Sequence, residues 1–384
     1  MLMHQLPSAL VALLPVLAFL AALLWLDSYK LIAPPAVFAV IGVGAAVAAA
    51  SYPLNAYLLG RLGLGLMEFS RYVSPLAEEL LKGLVVLALV RMHRIGFLVD
   101  AAIYGFAVGT GFALAENLYY LHLAAEAGMG TWIVRGFGTA LMHGGTTALF
   151  AVMGLARIER AAHARAVHFL PGFAVAALLH SGFNHLSHMP LAATLVTMLT
   201  LPPLTWAIFE RSERSLRDWI GHGFDADAKL LELIGAGGFA ASPPGRYLAS
   251  LQRSLPGALL ADALCYLRLY TELSLRAKGV LMMRENGFES PLADDETRAK
   301  FTELRYLEKS IGATGLRALR PVLKLRQREL LQLYMLEGGL RLSAHRTAPA
   351  LKQHRQGRCA READSLDATM PSDLLQQLEQ LHSL

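Results

Sequence analysis

Three ionisable residues lie close together in an apolar stretch of the sequence, SPLAEELLKGLVVLALV, which begins at Ser74. Glu78, Glu79 and Lys82 fall within two turns of the helix that this stretch predicts. A charged side chain near the centre of a bilayer costs roughly 2.5–3.5 kcal/mol on insertion scales, so three of them need a role. Lys82 is four residues from Glu78 and three from Glu79, and the simplest role is therefore a structural ion pair.

Further polar residues occur in the apolar segments downstream: Glu116 with Asn117, then His143, then His180 with Asn184. A single histidine or asparagine inside a membrane usually forms hydrogen bonds between helices. Here the depths agree as well, because counting about 1.5 Å per helical residue brings all of these positions into the outer half of the bilayer. The sequence therefore predicts one polar site and not several unrelated ones.

Small residues share the helix faces that carry these polar groups. The stripe on the fourth predicted transmembrane helix contains Gly105, Gly109 and Glu116, and the stripe on the fifth contains Gly136, Ala140, His143, Thr147 and Gly154. Small residues allow helices to approach closely, so Glu116 and His143 should point into the bundle. Ser74 as an N-cap and Pro75 as a first helical residue predict where the third helix begins.

Paired carboxylates, two histidines and an amide can deprotonate a water molecule, deliver it to a carbonyl and stabilise the resulting oxyanion. Because Glu78 and Glu79 are about 100° apart on a helix, one of them should face the water while the other orients it. We interpret Glu78 as the base and Lys82 as the partner that offsets the charge. The sequence has no recognisable serine or cysteine nucleophile motif. Glutamate and histidine also bind zinc, so a metal held by His143, His180 and either Glu78 or Glu79 is an alternative, although the chain has no HExxH motif.

The composition is that of a membrane protein, with 54% hydrophobic and only 17% charged residues, against about 25% charged residues in soluble domains. We predict an all-α, polytopic membrane helix bundle of about seven transmembrane helices, followed by a soluble helical domain at the C-terminal end. The polar stretch 52–70 could add an interfacial or re-entrant helix. The predicted spans are 8–26, 31–50, 74–90, 97–121, 131–156, 168–185 and 190–209.

Arginines between the spans predict the orientation, because cytoplasmic loops are enriched in basic residues. They cluster in alternate connections, which places the N-terminus outside and the C-terminal half in the cytoplasm; the first apolar segment is then an uncleaved transmembrane helix. We predict a transmembrane helical domain at 1–209, a cytosolic helical domain at 210–340, and a disordered polar tail with a short terminal helix at 341–384.

Four short motifs carry a resemblance to a known family. EELLK (Glu78–Lys82), DAAIYGFAVGTGFALAEN (Asp100–Asn117), HGGTT (His143–Thr147) and HSGFN (His180–Asn184) resemble, in order, the four motifs of the PrsW family of intramembrane proteases. That family is related to the CAAX-processing and bacteriocin-processing membrane proteases. The resemblance covers roughly residues 70–190.

The resemblance implies an endopeptidase that cleaves membrane-associated proteins, in some members an anti-sigma factor at an extracytoplasmic site. Glu78 and Glu79 match the paired glutamates that activate water, and His143 matches the histidine that assists them. His180 and Asn184 match the pair that positions water or stabilises the oxyanion.

Glu116 and Asn117 match the EN pair of the second motif, whose role is less settled. The family has been described both as metalloproteases and as glutamic proteases, so the cofactor is either none or zinc. We expect a multi-pass protein of a bacterial inner membrane whose partners are the bilayer and a membrane-protein substrate. We expect no nucleic-acid partner, whereas residues 210–340 could bind a cytosolic regulatory partner.

Two other functions compete with the protease. An ion-coupled transporter would also contain buried Glu, His and Lys residues, but the sequence shows neither paired repeats nor matching Pro/Gly-broken helices. A non-catalytic membrane scaffold could retain the fold alone, and the complete set of four motifs argues against it.

Overall fold

The computed structural model describes residues 2–30, 32–124, 126–161, 165–251, 256–288, 295–319 and 321–323, with the single residues 333 and 336. In these ranges the regular secondary structure is helical. The α-helices are α1 (Leu2–Leu26), α2 (Pro34–Leu62), α3 (Leu66–Glu68), α4 (Ser74–Arg91), α5 (Leu98–Leu123), α6 (Met129–Ile133), α7 (Ala140–Arg160), α8 (Leu170–His185), α9 (Pro190–Gly235), α10 (Pro243–Ser250), α11 (Gly257–Glu285) and α12 (Asp295–Leu319). Two short π-helical turns, Phe69–Val73 and Val134–Thr139, lead directly into α4 and α7.

Six helical segments of the described chain are long and apolar enough to cross a membrane, which confirms the predicted all-α polytopic bundle. They are Leu6–Leu26, Pro34–Leu62, Leu98–Leu123, Met129–Arg160, Ala166–His188 and Pro190–Gly235. The remaining predicted span, 74–90, corresponds to α4, which has 18 residues and is therefore about 27 Å long. Each of the six contains a stretch of 18 residues with at most two charged side chains, whereas the 18 residues of α4 include Glu78, Glu79, Lys82 and Arg91.

The stretch 52–70, for which we expected a separate interfacial or re-entrant helix, is divided in the structure. Its first part continues α2 without a break as far as Leu62. Gly63 then ends α2 in a left-handed conformation with φ +64°, and its N–H donates to the carbonyl of Leu59. The rest of the stretch forms α3 and the start of the turn that leads into α4.

The chain divides into two compact units. The first comprises Met1–Gly223, Val280–Ser290 and Arg326–Tyr334, and the second comprises Phe224–Gly279, Pro291–Leu325 and Met335–Leu384. Because α9 is continuous from Pro190 to Gly235, no helix end marks position 209. The domain assignments 1–209 and 210–340 stay predictions, and the predicted tail at 341–384 lies outside the described residues.

The second unit is described by α10, α12 and the parts of α9 and α11 that fall in it. Lys278 is buried there, and its Nζ lies 2.5 Å from Oδ2 of Asp227, which also accepts a hydrogen bond from Ser274. A buried, hydrogen-bonded charge pair of this kind is costly to break. A regulatory role for this unit stays a prediction.

The start of α5 is fixed by a side chain on its own first turn. Oδ2 of Asp100 accepts hydrogen bonds from the backbone N–H groups of Phe97 at 2.9 Å and Gly96 at 3.2 Å. These bonds satisfy donors that a helix leaves unpaired at its N-terminus. Asp100 therefore sets the register of α5 and, through it, the position of Glu116.

Glycines on α5 allow α7 to pack at backbone contact. A Cβ added to Gly109 would lie 2.2 Å from the carbonyl oxygen of His143, and one added to Gly105 would lie 2.7 Å from the carbonyl oxygen of Thr147. Distances this short exclude any side chain at the two positions. The predicted glycine stripe on α5 is therefore the surface against which α7 packs, and it brings His143 close to the helix that carries Glu116.

This contact predicts that Gly109→Ala destabilises the protein. The added methyl group would meet backbone that cannot move by itself, and overpacking of this kind typically costs about 1–3 kcal/mol. The free energy of unfolding, measured by reversible SDS titration in mixed micelles, should fall accordingly. Gly42→Ala on α2 is the matched control, because nothing lies within 4 Å of the added atom. Equal stability of the two variants would contradict the packing described here.

Candidate active site

Glu78 is held from one side by residues of α2 and α4. Its Oε1 accepts hydrogen bonds from Ser74 Oγ at 2.5 Å and from Asn55 Nδ2 at 3.0 Å. Asn55 also donates to Ser74 Oγ at 3.1 Å, which closes a triangle. Ser74 therefore does not act as the predicted N-cap. The residues before it are already helical, and the hydroxyl of Ser74 donates to Glu78, one turn further along α4. Oε1 of Glu78 is thus fixed by two hydrogen bonds, and Oε2 is the oxygen nearer to His180.

Glu79 is enclosed by hydrogen-bond donors. Its Oε1 lies 2.5 Å from Lys82 Nζ, 2.9 Å from His180 Nδ1 and 3.1 Å from Thr146 Oγ1. Its side chain is only 1% exposed and that of Lys82 is fully buried. Donors that surround a buried carboxylate in this way favour its ionised form. Glu79 is thus a fixed anion that joins α4, α7 and α8.

The position of Lys82 determines the protonation of His143. Lys82 Nζ lies 3.1 Å from His143 Nδ1, and an ammonium group has hydrogens to donate but no lone pair. His143 Nδ1 therefore accepts this bond, so its proton is on Nε2, which lies 3.0 Å from Oε2 of Glu116. The ring of His143 also packs against Phe112, with 4.9 Å between ring centroids, which limits its rotation.

The same reasoning gives the opposite protonation for His180. Its Nδ1 donates to the carboxylate of Glu79, so in the neutral ring its Nε2 carries the lone pair. That nitrogen lies 3.8 Å from Oε2 of Glu78, the oxygen that Ser74 and Asn55 leave free. Two hydrogen-bond acceptors that face each other at this distance need a donor between them, and one water molecule can supply a hydrogen to each.

Arg135 and Asn117 extend the network beyond Glu116. Arg135 Nη2 lies 3.4 Å from Glu116 Oε2, and its Nε donates to Asn117 Oδ1 at 2.9 Å. Asn117 in turn donates to the carbonyl of Ala12 on α1 at 2.7 Å. The guanidinium group lies over the ring of Tyr120 at 3.9 Å. These contacts fix Arg135 at three points beside the predicted site.

Asn184 is directed away from this centre. Its Nδ2 donates to the backbone carbonyl of Ser70 at 2.8 Å, and Ser181 Oγ donates to the carbonyl of Arg71 at 2.5 Å. Both acceptors belong to the π-helical turn before α4. The structure thus brings Glu78, Glu79, Lys82, Glu116, His143 and His180 into one network, while Asn117 and Asn184 lie at its edge.

Exposure differs between the two sides of this network. The closed side consists of Glu79 and Lys82, whose side chains are 1% and 0% exposed. The open side consists of Glu78, Glu116 and Arg135, whose side chains are 12%, 20% and 14% exposed. A substrate can therefore reach the facing acceptors only from the open side.

Comparison with protein-family models gives one match. Residues 33–208 match the model described as PrsW family intramembrane metalloprotease. The chain carries a PrsW-family domain. This match confirms the resemblance drawn from the four motifs and supports a membrane-embedded peptidase. No curated protein and no solved structure matches the chain.

The name of the PrsW family implies a metal, and three residues of the network have suitable types and spacing. Ligand atoms of Glu78, His143 and His180 all lie within 4.8 Å of one another, and two histidines with one glutamate form a known catalytic zinc set. The protonation of His143 does not suit this role. Its Nδ1 accepts from Lys82 and its Nε2 carries the proton, so neither nitrogen offers a lone pair to a metal.

Glu79, the other glutamate considered as a ligand, is not part of this group of converging ligand atoms, and its Oε1 already accepts three hydrogen bonds. The arrangement of the PrsW-family domain therefore fits a water molecule between Glu78 and His180 better than a zinc ion held by both histidines.

Two residues of the site were not predicted from the sequence. Arg135 lies within an apolar span, where a charged side chain is as unusual as Glu78 is in its own helix. The charge inside the span was therefore a signal that Arg135 has a role. Asn55 gave a weaker signal, because a single asparagine in an uncertain segment does not indicate which residue it binds. Its contact with Glu78 depends on α2 continuing past residue 50, which the sequence analysis did not predict.

The contacts of Lys82 predict a strong energetic coupling to Glu79. Lys82→Met would leave a buried carboxylate without its cation, which typically costs about 3–5 kcal/mol. The double variant Lys82→Met/Glu79→Gln should lose less free energy of unfolding than the sum of the two single variants, as measured by SDS titration. Arg214→Ala, which breaks the exposed pair with Glu210, is the control and should change stability by at most about 1 kcal/mol. Additive effects of the Lys82 and Glu79 substitutions would contradict the pairing.

Proposed function

We propose that this protein is an intramembrane endopeptidase that hydrolyses a peptide bond in membrane-associated proteins, with Glu78 as the general base. The observation that carries the proposal is the 3.8 Å gap between Glu78 Oε2 and His180 Nε2. A water molecule held there is oriented by two acceptors, so its oxygen lone pairs point away from both. Those lone pairs are then available to attack a carbonyl carbon from the open side.

The reaction needs only residues of this chain and water. As the water oxygen bonds to the carbonyl carbon, one of its protons passes to Glu78 Oε2 and the carbonyl oxygen becomes an oxyanion. The carbon–nitrogen bond then breaks, the oxyanion electrons re-form the carbonyl, and the proton on Glu78 passes to the leaving nitrogen. The products are a carboxylic acid and an amine, and Glu78 returns to its ionised form.

The buried residues keep this centre in one protonation pattern. Glu79 fixes the tautomer of His180, as a carboxylate orients a catalytic histidine in other hydrolases. Lys82 fixes the tautomer of His143, whose Nε2–H is held near the water by Glu116. In this proposal Glu79 and Lys82 position other residues and do not touch the substrate.

The substrate class follows from the surroundings of the site. Glu116, His143 and His180 lie on helices that are long and apolar enough to span a membrane, and Glu78 on α4 faces His180. The scissile bond must therefore enter that environment. We expect a single-span membrane protein whose peptide bond is locally unwound, because helical backbone hides its carbonyls. A regulator of the anti-sigma-factor type would fit this description.

The orientation of the bundle supports a site in the outer half of the membrane. Basic residues end α4 at Arg91 and α7 at Arg157 and Arg160, whereas the network lies toward the other end of both helices. If the basic ends face the cytoplasm, the site faces outward, as the positive-inside rule favours. In a bacterium we expect the protein in the inner membrane, with the C-terminal half of the chain in the cytoplasm.

The first experiment compares cleavage of a panel of single-span membrane proteins in liposomes by wild type, Glu78→Gln, Glu79→Gln and His143→Ala. Glu78→Gln should lower kcat by at least about 10²-fold, since general bases contribute about 10²–10⁴-fold. Glu79→Gln should also slow cleavage, because an amide can leave His180 in the wrong tautomer. Glu68→Gln is the control, since that glutamate is exposed and outside the network.

Each protein in this series is also assayed with a strong zinc chelator. Activity that is lost in Glu78→Gln but unchanged by chelation would support a water activated by the carboxylate. Loss on chelation that zinc restores would show that the protonation deduced for His143 changes when a metal binds. Equal behaviour of wild type and all variants would remove the proposed function and favour a transporter or scaffold.

A further inference from the structure

One charged group beside the proposed site has no part in the mechanism so far. Arg135 lies in the π-helical turn Val134–Thr139, and helical irregularities of this type are frequent at functional sites. Its Nε is bound to Asn117, its plane lies over Tyr120, and its Nη2 is 3.4 Å from Glu116. A long side chain fixed in this way has lost most of its conformational freedom before any substrate arrives.

The Nη2 group of Arg135 is buried but has no hydrogen-bond partner of normal geometry among the described residues. Leaving a buried charged donor without such a partner is costly. The charge is balanced by Glu116, but charge balance alone would be better served by a direct hydrogen bond. The arrangement suits a donor that is kept ready for an acceptor that comes and goes.

The position of this donor matches the place where negative charge would develop. Glu116 Oε2 lies 3.4 Å from Arg135 Nη2 and 3.0 Å from His143 Nε2, so it lies between the two groups. Arg135 also forms part of the open side. Ligand atoms of Glu78 and His143 lie within 4.8 Å of each other, so a carbonyl attacked by a water at Glu78 comes close to the chain of contacts that runs from His143 through Glu116 to Arg135. Asn184, the residue expected to stabilise the oxyanion, has its amide on the Ser70 carbonyl instead.

We infer that Arg135 donates hydrogen bonds to the oxyanion of the proteolytic reaction, and that Asn117 and Glu116 position it. This inference rests on the proposed function. Arg135 stays protonated throughout, and it interacts most strongly when the carbonyl oxygen carries the full charge of the tetrahedral intermediate. A donor that is preorganised in a site of low dielectric lowers the barrier without reorganising during the reaction. The EN pair of the second motif then acts by holding this arginine.

The test uses the full-length protein in liposomes and a peptide labelled with a fluorophore and a quencher. The peptide sequence is taken from the single-span substrate that wild type cleaves. Arg135→Ala should lower kcat by about 10²–10³-fold, the usual effect of removing one oxyanion donor, with KM changed less than about threefold. Arg135→Lys should be intermediate, because a lysine keeps the charge but loses the planar fork. Arg61→Ala is the matched control, since Arg61 is an exposed arginine at the end of α2.

Two inhibitors separate transition-state binding from ground-state binding. One is the same peptide with a phosphinate in place of the scissile amide, which carries the tetrahedral anion, and the other has an N-methylated, uncleavable amide. Arg135→Ala should weaken the first by about 10²-fold and leave the second unchanged, and guanidinium chloride should restore part of the lost kcat. Asn117→Ala should show a smaller loss of the same type.

Three results would overturn the inference. If Arg135→Ala cleaves at the wild-type kcat while Glu78→Gln is inactive, Arg135 does not stabilise the oxyanion and the proposed function stands. If both inhibitors weaken equally and only KM rises, Arg135 binds the substrate and not the transition state. If wild type and Glu78→Gln do not differ, the proposed function and this inference fail together. If Arg135→Ala folds in low yield, the same measurements are made on Arg135→Lys, and the same three results would overturn the inference.

Discussion

A single buried ammonium group, that of Lys82, determines the state of the residues around it. It neutralises Glu79 and donates to His143, which fixes the tautomer of His143. The carboxylate of Glu79, kept ionised by this ammonium group, in turn orients His180. In water such a network would exchange its protons freely, but at zero exposure the alternatives leave a buried group unpaired. The protein therefore maintains one arrangement of donors and acceptors, in which only Glu78 and His180 face each other without a shared hydrogen.

This network depends on how closely the helices pack. Gly109 brings the backbone of α5 to the backbone of α7 at the level of His143, so Glu116 can reach the imidazole directly. A larger residue would push the two backbones apart and lengthen this hydrogen bond. In lipid the drive to pack comes from close contact and polar bonds more than from the hydrophobic effect. Packing and chemistry in this domain therefore rely on the same small residues.

The sequence allowed the bundle, the glycine stripe and the main polar residues to be predicted, because helix period, span length and buried charge are local signals. The hydrogen bonds between side chains of different helices could not be predicted in the same way. The position of Glu79 between three donors, and that of Asn184 on Ser70, depend on side-chain directions that spacing alone does not give. Arg135 could not be paired with Glu116 from the sequence, because a single arginine inside an apolar span does not indicate which helix it faces. The continuation of α2 past residue 50 was missed because the polar residues there resembled an interfacial segment.

The contact between α8 and the turn before α4 has a consequence for the geometry of the base. Hydrogen bonds from Ser181 and Asn184 to two successive carbonyls hold this turn against the end of α8. Each such bond contributes a net stability of about 0.5–1.5 kcal/mol, and the rings of Tyr72 and His185 add a contact at 4.9 Å. The turn continues directly into Ser74, whose hydroxyl binds Glu78. The spacing of His180 and Asn184 on α8 thus serves two ends of one support: His180 faces the reactive oxygen of Glu78, and Asn184 anchors the backbone from which that glutamate extends.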